Sequence, residues 1–189
     1  MRTITVNLYG GPGAGKTTAA WEIAAELKKA GVLTEYVPEH AKELVWDGKL
    51  DLLDGSYENQ KALIAEQAHR IDRLQGKVSV IVTDSPILLG LMYQKEEYPK
   101  LEEFAFQKYE QHNNFDLFVH RGDFYGYEQA GRIHTPAQSA SLDSDILLFL
   151  KRNCIPFSDY KRNESYKAVV AIQRAIEPKK HNKNHKFER

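Results

Sequence analysis

Gly10-Gly11-Pro12-Gly13-Ala14-Gly15-Lys16-Thr17 fits the spacing G-x-x-x-x-G-K-[ST]. Glycines at this density let successive backbone N–H groups turn inward as a nest for an anion. A helix starting at Lys16 adds unpaired N–H donors and a positive dipole end. Lys16 is long enough to reach the outer phosphates of a nucleotide, and a Thr17 hydroxyl can ligate Mg²⁺. The run Gly11, Gly13, Ala14, Gly15, Lys16, Thr17 and Thr18 is therefore expected to hold the phosphates of ATP.

Two acidic groups complete the chemistry. Phosphoryl transfer needs a carboxylate on the metal, and it gains from a base beside the attacking hydroxyl. Asp84, in Thr83-Asp84-Ser85-Pro86, and Glu39, just after Pro38, fit these roles. Thr17 and Asp84 are the expected metal ligands, and Glu39 or Asp84 the base. Alternatively, Asp84 caps a helix opened by Pro86, and Glu39 is an acid in a first helical turn. Negative charge spreading over a phosphoryl group in flight calls for arginine from a closing segment. Arg132 and Arg121 flank such a stretch and are the candidates. Between them Phe124, Tyr125 and Tyr127 could stack on a ring or form a small core of their own. Lys161 and Arg162 are candidates for the adenine. His40, His120 and His134 fall in site segments, without metal-ligand spacing.

These residues need a scaffold that gathers them, and the chain has a βα rhythm. Strands are expected at 4–9, 33–37, 78–82, 116–119 and 154–157. Helices are expected at 16–30, 39–46, 57–75, 100–111, 142–151 and 164–176. The near-continuous apolar run Val78-Ser79-Val80-Ile81-Val82 suits a strand covered on both faces. Such alternation argues for an α/β fold: a parallel sheet of about five strands flanked by helices, with right-handed crossovers. In such sheets ligands bind beyond the carboxyl ends of the strands, where Gly10, Glu39 and Asp84 all fall. The stretch 121–140 reads as a lid, and Trp21 and Trp46 are expected to pack on helix faces.

Composition sets bounds. With 189 residues, one domain (1–177) with its own core is expected. One cysteine excludes an internal disulfide framework and suits a reducing, cytoplasmic compartment. No apolar run reaches the length of a membrane span, so no membrane partner is expected. The 26 basic and 26 acidic residues cancel, but unevenly. The tail 178–189 holds five Lys/Arg and one Glu, leaving the body with 21 basic and 25 acidic groups. That tail is either a solvated, flexible end or a weak handle for a polyanion.

Exclusion narrows the class. A GTPase base reader N-K-x-D is missing, since Asn182-Lys183 has no Asp after it. A motor ATPase would follow its third strand with Asp-Glu, and here Ser85 follows Asp84. The loop Gly11-Pro12-Gly13-Ala14-Gly15-Lys16 looks like that of adenylate-kinase-type enzymes. With Glu39-His40-Ala41-Lys42-Glu43-Leu44, Val80-Ile81-Val82-Thr83-Asp84-Ser85-Pro86, Gly131-Arg132 and Ile155-Pro156-Phe157, the chain resembles AAA-type P-loop proteins related to the ribosylnicotinamide kinase domain, a group with many phage members. Where those kinases carry Glu-Tyr-Ala-Arg, this chain has Glu39-His40-Ala41-Lys42. The resemblance implies a P-loop NTPase fold of the nucleotide-kinase kind and an ATP- and Mg²⁺-dependent phosphotransferase. Its acceptor would be a hydroxyl of a nucleoside, a nucleotide or a modified base. Phage relatives that phosphorylate 5-hydroxymethyluracil within DNA imply DNA as another acceptor, and host cytoplasm as the setting. An ATPase or nucleotide-dependent regulator without kinase activity is the third reading.

Overall fold

The computed structural model describes residues 2–122 and 135–177. Five parallel strands form one sheet in the order β2-β3-β1-β4-β5. They are β1 (Ile4–Tyr9), β2 (Thr34–Val37), β3 (Val80–Thr83), β4 (Asn113–Val119) and β5 (Phe157–Tyr160). The helices are α1 (Lys16–Lys29), α2 (His40–Trp46), α3 (Tyr57–Asp72), α4 (Pro99–Glu110), α5 (Pro136–Arg152) and α6 (Ser165–Ile176). Short 3₁₀ turns occupy Leu50–Leu53 and Ile87–Tyr93.

The side-chain alternation of β1 builds both halves of the core. Ile4, Val6 and Leu8 pack with Ala20, Ile23 and Leu27 of α1 and Ile172 of α6. Tyr9 faces the other layer, where Ile64 and Ile71 of α3, Leu101 of α4 and Ile146 and Leu150 of α5 are buried. Burying one such Leu or Ile stabilises the fold by about 1.5–3 kcal/mol.

The topology places the site. From β1 the chain crosses to β2 and returns through β3 on one side of the central strand, then adds β4 and β5 on the other. The crevice where the order reverses lies at the carboxyl end of β1. The register Val37↔Thr83 and Asn7↔Thr83 brings three strand ends to one edge, so Gly10, Glu39 and Asp84 leave the sheet together.

Several boundaries differ from expectation. β5 begins at Phe157, because Cys154 takes a left-handed turn (φ 53°) that ends α5, and Ile155 bonds back to Leu150. α5 begins at Pro136, short of the expected loop end at Ala140. Thr135 and Gln138 form a reciprocal capping box and Pro136 fills the first turn. The tryptophans are not packed away: Trp21 is 59% exposed and Trp46 64%. Trp21 meets Tyr36 edge-on at 6.3 Å. Among the described residues no helix is long and apolar enough to cross a membrane. Arg132, Phe124, Tyr125, Tyr127, His134 and the tail 178–189 lie outside the described residues.

Candidate functional site

The loop between β1 and α1 is built by its glycines. Gly13 (φ 77°) and Gly15 (φ 96°) adopt the left-handed conformation that turns the backbone amides to one side. Gly15 is the residue at which α1 starts, and it has no side-chain cap, so the first-turn N–H groups stay available to an anion. Lys16 Nζ folds over the loop, donating to Gly10 O at 2.7 Å and Gly11 O at 3.1 Å. The ammonium is held above the nest where phosphate oxygens would arrive.

Thr17 and Asp84 meet across the strand ends. The Thr17 hydroxyl donates to Asp84 Oδ2 at 2.6 Å. Asp84 is 3% exposed, and its Oδ1 is buried without a hydrogen-bond partner among the described residues. An unpartnered buried carboxylate oxygen is costly in a folded chain. Beside a hydroxyl oxygen, it fits a hard divalent cation such as Mg²⁺, which takes one or two protein oxygens and fills its shell with water and phosphate. Asp84 does not cap a helix, because the turn beginning at Ile87 has Pro86 at its N-cap.

Tyr36 is a residue the sequence reading passed over. Burial pushes its phenol well above the usual value, and the charges of Asp84 and Glu39 push it further. The hydroxyl therefore remains a neutral donor beside two carboxylates. Only its strand position, two residues before Pro38, could have suggested this.

Glu39 occupies the N-cap of α2 without a side-chain cap bond, and it lines a cavity of about 430 Å³. That cavity starts at the phosphate loop (Pro12, Gly13, Lys16, Thr17) and runs between α2 and α3 to Leu53, Leu63 and Leu89. One ion-pair network holds α2 over it. Arg70 of α3 donates to both oxygens of Glu43 at 2.8 and 2.6 Å, to Glu66 at 2.9 Å and to His40 Nδ1 at 2.9 Å. His40 Nδ1 also lies 3.1 Å from Glu43 Oε2, so the imidazole sits between the guanidinium and the carboxylate. Arg70, and His40 after it, hold the Glu43 carboxyl down to about 2.

Arg121 sits at the end of β4, on the opposite side of the loop. Its Nε donates to Asp143 Oδ2 at 2.8 Å, and one terminal nitrogen donates to Pro12 O at 3.0 Å and Ser139 O at 3.2 Å. Asp143 in turn accepts from the Gly11 N–H. Glycine is required there, since a Cβ on Gly11 would lie 2.5 Å from Ser139 O and 2.8 Å from Asp143 Oδ1. Arg121 and Asp143 thus clamp the loop entrance to α5. Asp143 was missed because no spacing links it to Gly11, 132 positions earlier.

The structure thus brings together Gly11, Gly13, Ala14, Gly15, Lys16, Thr17, Thr18, Glu39, Asp84 and Arg121 around one crevice. Lys161 and Arg162 directly follow β5, and His120, next to Arg121, pairs with Asp159 at 2.7 Å.

A family described as AAA domain matches residues 5–187. No curated protein matches the sequence significantly. Solved structures match across nearly the whole chain at low identity. Kti12 from Chaetomium thermophilum in complex with ADP-AlF3 superposes with a TM-score of 0.56 at 13% identity, covering 92% of this chain and all of that one. The APS kinase of Mycobacterium tuberculosis gives 0.51 at 14% identity, covering 92% and 98%. The same kinase in complex with AMPPNP and APS gives 0.50 at 14%, with equal coverage. At these identities the likeness is one of fold, the P-loop NTPase sheet.

Proposed function

The chain belongs to the AAA domain family of P-loop nucleotide-binding proteins, and from that premise we propose that it is an ATP-dependent kinase acting on a hydroxyl of a nucleoside-type small molecule. The observation that carries this reading is the cavity beside the phosphate loop, with Glu39 on its wall. Hydrolysis alone requires no extension of the phosphate site between α2 and α3, and the whole cavity, about 430 Å³ with the phosphate-loop end included, is of a size that suits a small ligand. The fold can host such a pair, since the M. tuberculosis APS kinase holds AMPPNP and APS together.

In this reading the loop amides and Lys16 hold the β- and γ-phosphates. Thr17 and Asp84 hold Mg²⁺, which supplies charge neutralisation at the phosphate oxygens. The acceptor hydroxyl enters from the cavity and gives its proton to Glu39 as its oxygen bonds to the γ-phosphorus. The bond to the bridging oxygen breaks, and ADP leaves. Asp84 is committed to the metal, which leaves Glu39 as the base. Arg121 fixes the loop that carries the nest, and Arg132 is the arginine assigned to the transferring group.

A base within DNA is the weaker acceptor. Asp51 within the turn Leu50–Leu53 and Asp54 just after it lie near the cavity wall at Val45 and Leu53, and would repel a phosphate backbone. A nucleotide-dependent regulator is the second reading, favoured by the exposed Trp46, Leu50 and Leu52, an apolar surface fit for a protein partner. A screen with γ-labelled ATP, Mg²⁺, a pool of nucleosides and DNA containing hydroxymethylated bases separates these readings. Label on a nucleoside, lost in Lys16→Ala and reduced at least 100-fold in Glu39→Gln, supports the kinase. Label only on DNA, or only as free phosphate, replaces it with the second acceptor or the regulator.

A further inference from the structure

Two glutamines of α3 are buried, and they use their amides differently. Gln67 uses both ends on the protein. Its Oε1 accepts from His40 N at 3.2 Å, and its Nε2 donates to Pro38 O and Thr83 Oγ1, each at 3.3 Å. It ties α2 and the end of β3 to α3. Gln60 lies about two turns earlier on α3, on the cavity wall. Its Nε2 donates to Gly90 O at 2.6 Å. That contact fixes the amide orientation, because a side-chain carbonyl cannot face a backbone carbonyl at this distance. The other end, Oε1, takes part in no hydrogen bond among the described residues, and although Gln60 is 3% exposed overall this oxygen stays accessible from the cavity that Gln60 lines.

The wall around this oxygen is apolar. Leu53, Leu63, Ile64, Ile87 and Leu89 line it, and the cationic side chains on the cavity, Lys16 and Lys42, come from the phosphate loop and α2. A phosphate seated against the leucines would leave water without a partner, so charge belongs at the Lys16 end. A neutral group with a donor aimed at Gln60 Oε1 meets both the apolar wall and the unpaired carbonyl. Resting on the kinase reading for the word acceptor, we infer that this end of the cavity binds the uncharged, unphosphorylated heterocycle of the acceptor, and that Gln60 selects it by accepting a hydrogen bond from a ring or amide N–H. Amides, lactams and imides carry such a donor, and the bond does not depend on phosphorylation.

The test is equilibrium binding to the full chain by titration calorimetry. The probes are uridine, thymidine, inosine and guanosine, each beside its 5′-monophosphate, and each with its ring N–H replaced by N–CH₃. At least one free nucleoside should bind, more tightly than its monophosphate. Methylating the ring nitrogen should weaken it by about 10-fold or more, the loss expected when a buried acceptor goes unpaired. Gln60→Leu should bring a similar loss, and the methylated compound should bind that variant no worse than the parent compound does. ATP binding by Gln60→Leu should match the wild type, which also reports that the variant folds. If it does not fold, the methylated probes on the wild-type chain decide the matter alone. Tighter binding of monophosphates, indifference to methylation, or no binding by any of the four nucleosides overturns the inference. The two readings fail separately. Donor-dependent binding without phosphotransfer ends the kinase reading and keeps the site, and phosphotransfer indifferent to Gln60 does the reverse.

Discussion

Asp84 and Asp143 are both held near the phosphate loop, yet they do opposite work. Asp84 presents a buried oxygen, Oδ1, with no partner among the described residues, while Oδ2 accepts from Thr17. Asp84→Asn keeps the shape and removes the charge. Phosphotransfer should fall by about 100-fold or more, with the Mg²⁺ concentration needed for half-maximal rate rising, as titration of rate against Mg²⁺ would read. Asp143 is fully engaged, by Gly11 N–H and by Arg121. In Asp143→Ala the Gly11 N–H and Arg121 Nε lose this acceptor, and only the Arg121 bonds to Pro12 O and Ser139 O still tie the loop to α5. We expect the KM for ATP to rise by about 5- to 30-fold, the cost of one or two lost charge-assisted bonds, with kcat less affected. An unchanged KM would show that the loop keeps its shape without the clamp. The two aspartates also differ in how visible they are in sequence. Asp84 follows an apolar strand and was recognisable by that context. Asp143 lies inside an ordinary helical pattern, and only folding brings it to Gly11.

Two carboxylates, Asp116 buried and Glu43 half-exposed, set the behaviour of the elements with pH, in opposite directions. Asp116 of β4 accepts from Tyr109 and Asn7, but burial outweighs these bonds and raises its carboxyl to about 6. A raised folded value means stability that is complete below about 4 and lost as pH rises through about 6. Asp116→Asn should therefore gain on the wild type between pH 4 and pH 7, by up to about 3 kcal/mol, read from urea midpoints at the two pH values. Glu43 is held down to about 2, first of all by Arg70. Its contribution is present above about 4.5 and is lost as pH falls through about 2. Glu43→Gln at neutral pH weakens the link between α2 and α3, and with it the cavity wall that carries Glu39. The KM for the acceptor should rise several-fold while that for ATP stays constant, since the phosphate loop is untouched. Equal rises in both would mean that α2 also supports the loop. The element order was readable because glycine and proline punctuate a βα alternation. The exceptions have local causes. Thr135 and Gln138 start α5 earlier than a polar, glycine-containing stretch suggested, and the left-handed Cys154 delays β5. The 3₁₀ turn Ile87–Tyr93 was not foreseen, because a short apolar run has no distinctive period.

At the scale of the molecule, a parallel sheet with helices on both faces brings a glycine-rich loop, the buried carboxylate of Asp84 and a cavity of about 430 Å³ to one crevice. The nest and Asp84 were legible as types at a spacing. The cavity was not, since its wall combines α2, α3 and the 3₁₀ turn through contacts such as Gln60 to Gly90 O that no local pattern encodes. Net charge was a poor guide at this scale: the chain is neutral, yet in the proposed reading phosphate is held by backbone amides and a lysine. The central claim is that this crevice transfers a phosphoryl group to a hydroxyl compound rather than to water. The most direct measurement follows ADP release and phosphorylated product together, by phosphorus NMR, as nucleosides are added to the protein with ATP and Mg²⁺. The account predicts that a nucleoside accelerates ADP release, with one phosphorylated nucleoside formed per ADP and no matching rise in free phosphate. ADP release that ignores every nucleoside, or that is matched by free phosphate alone, would contradict it.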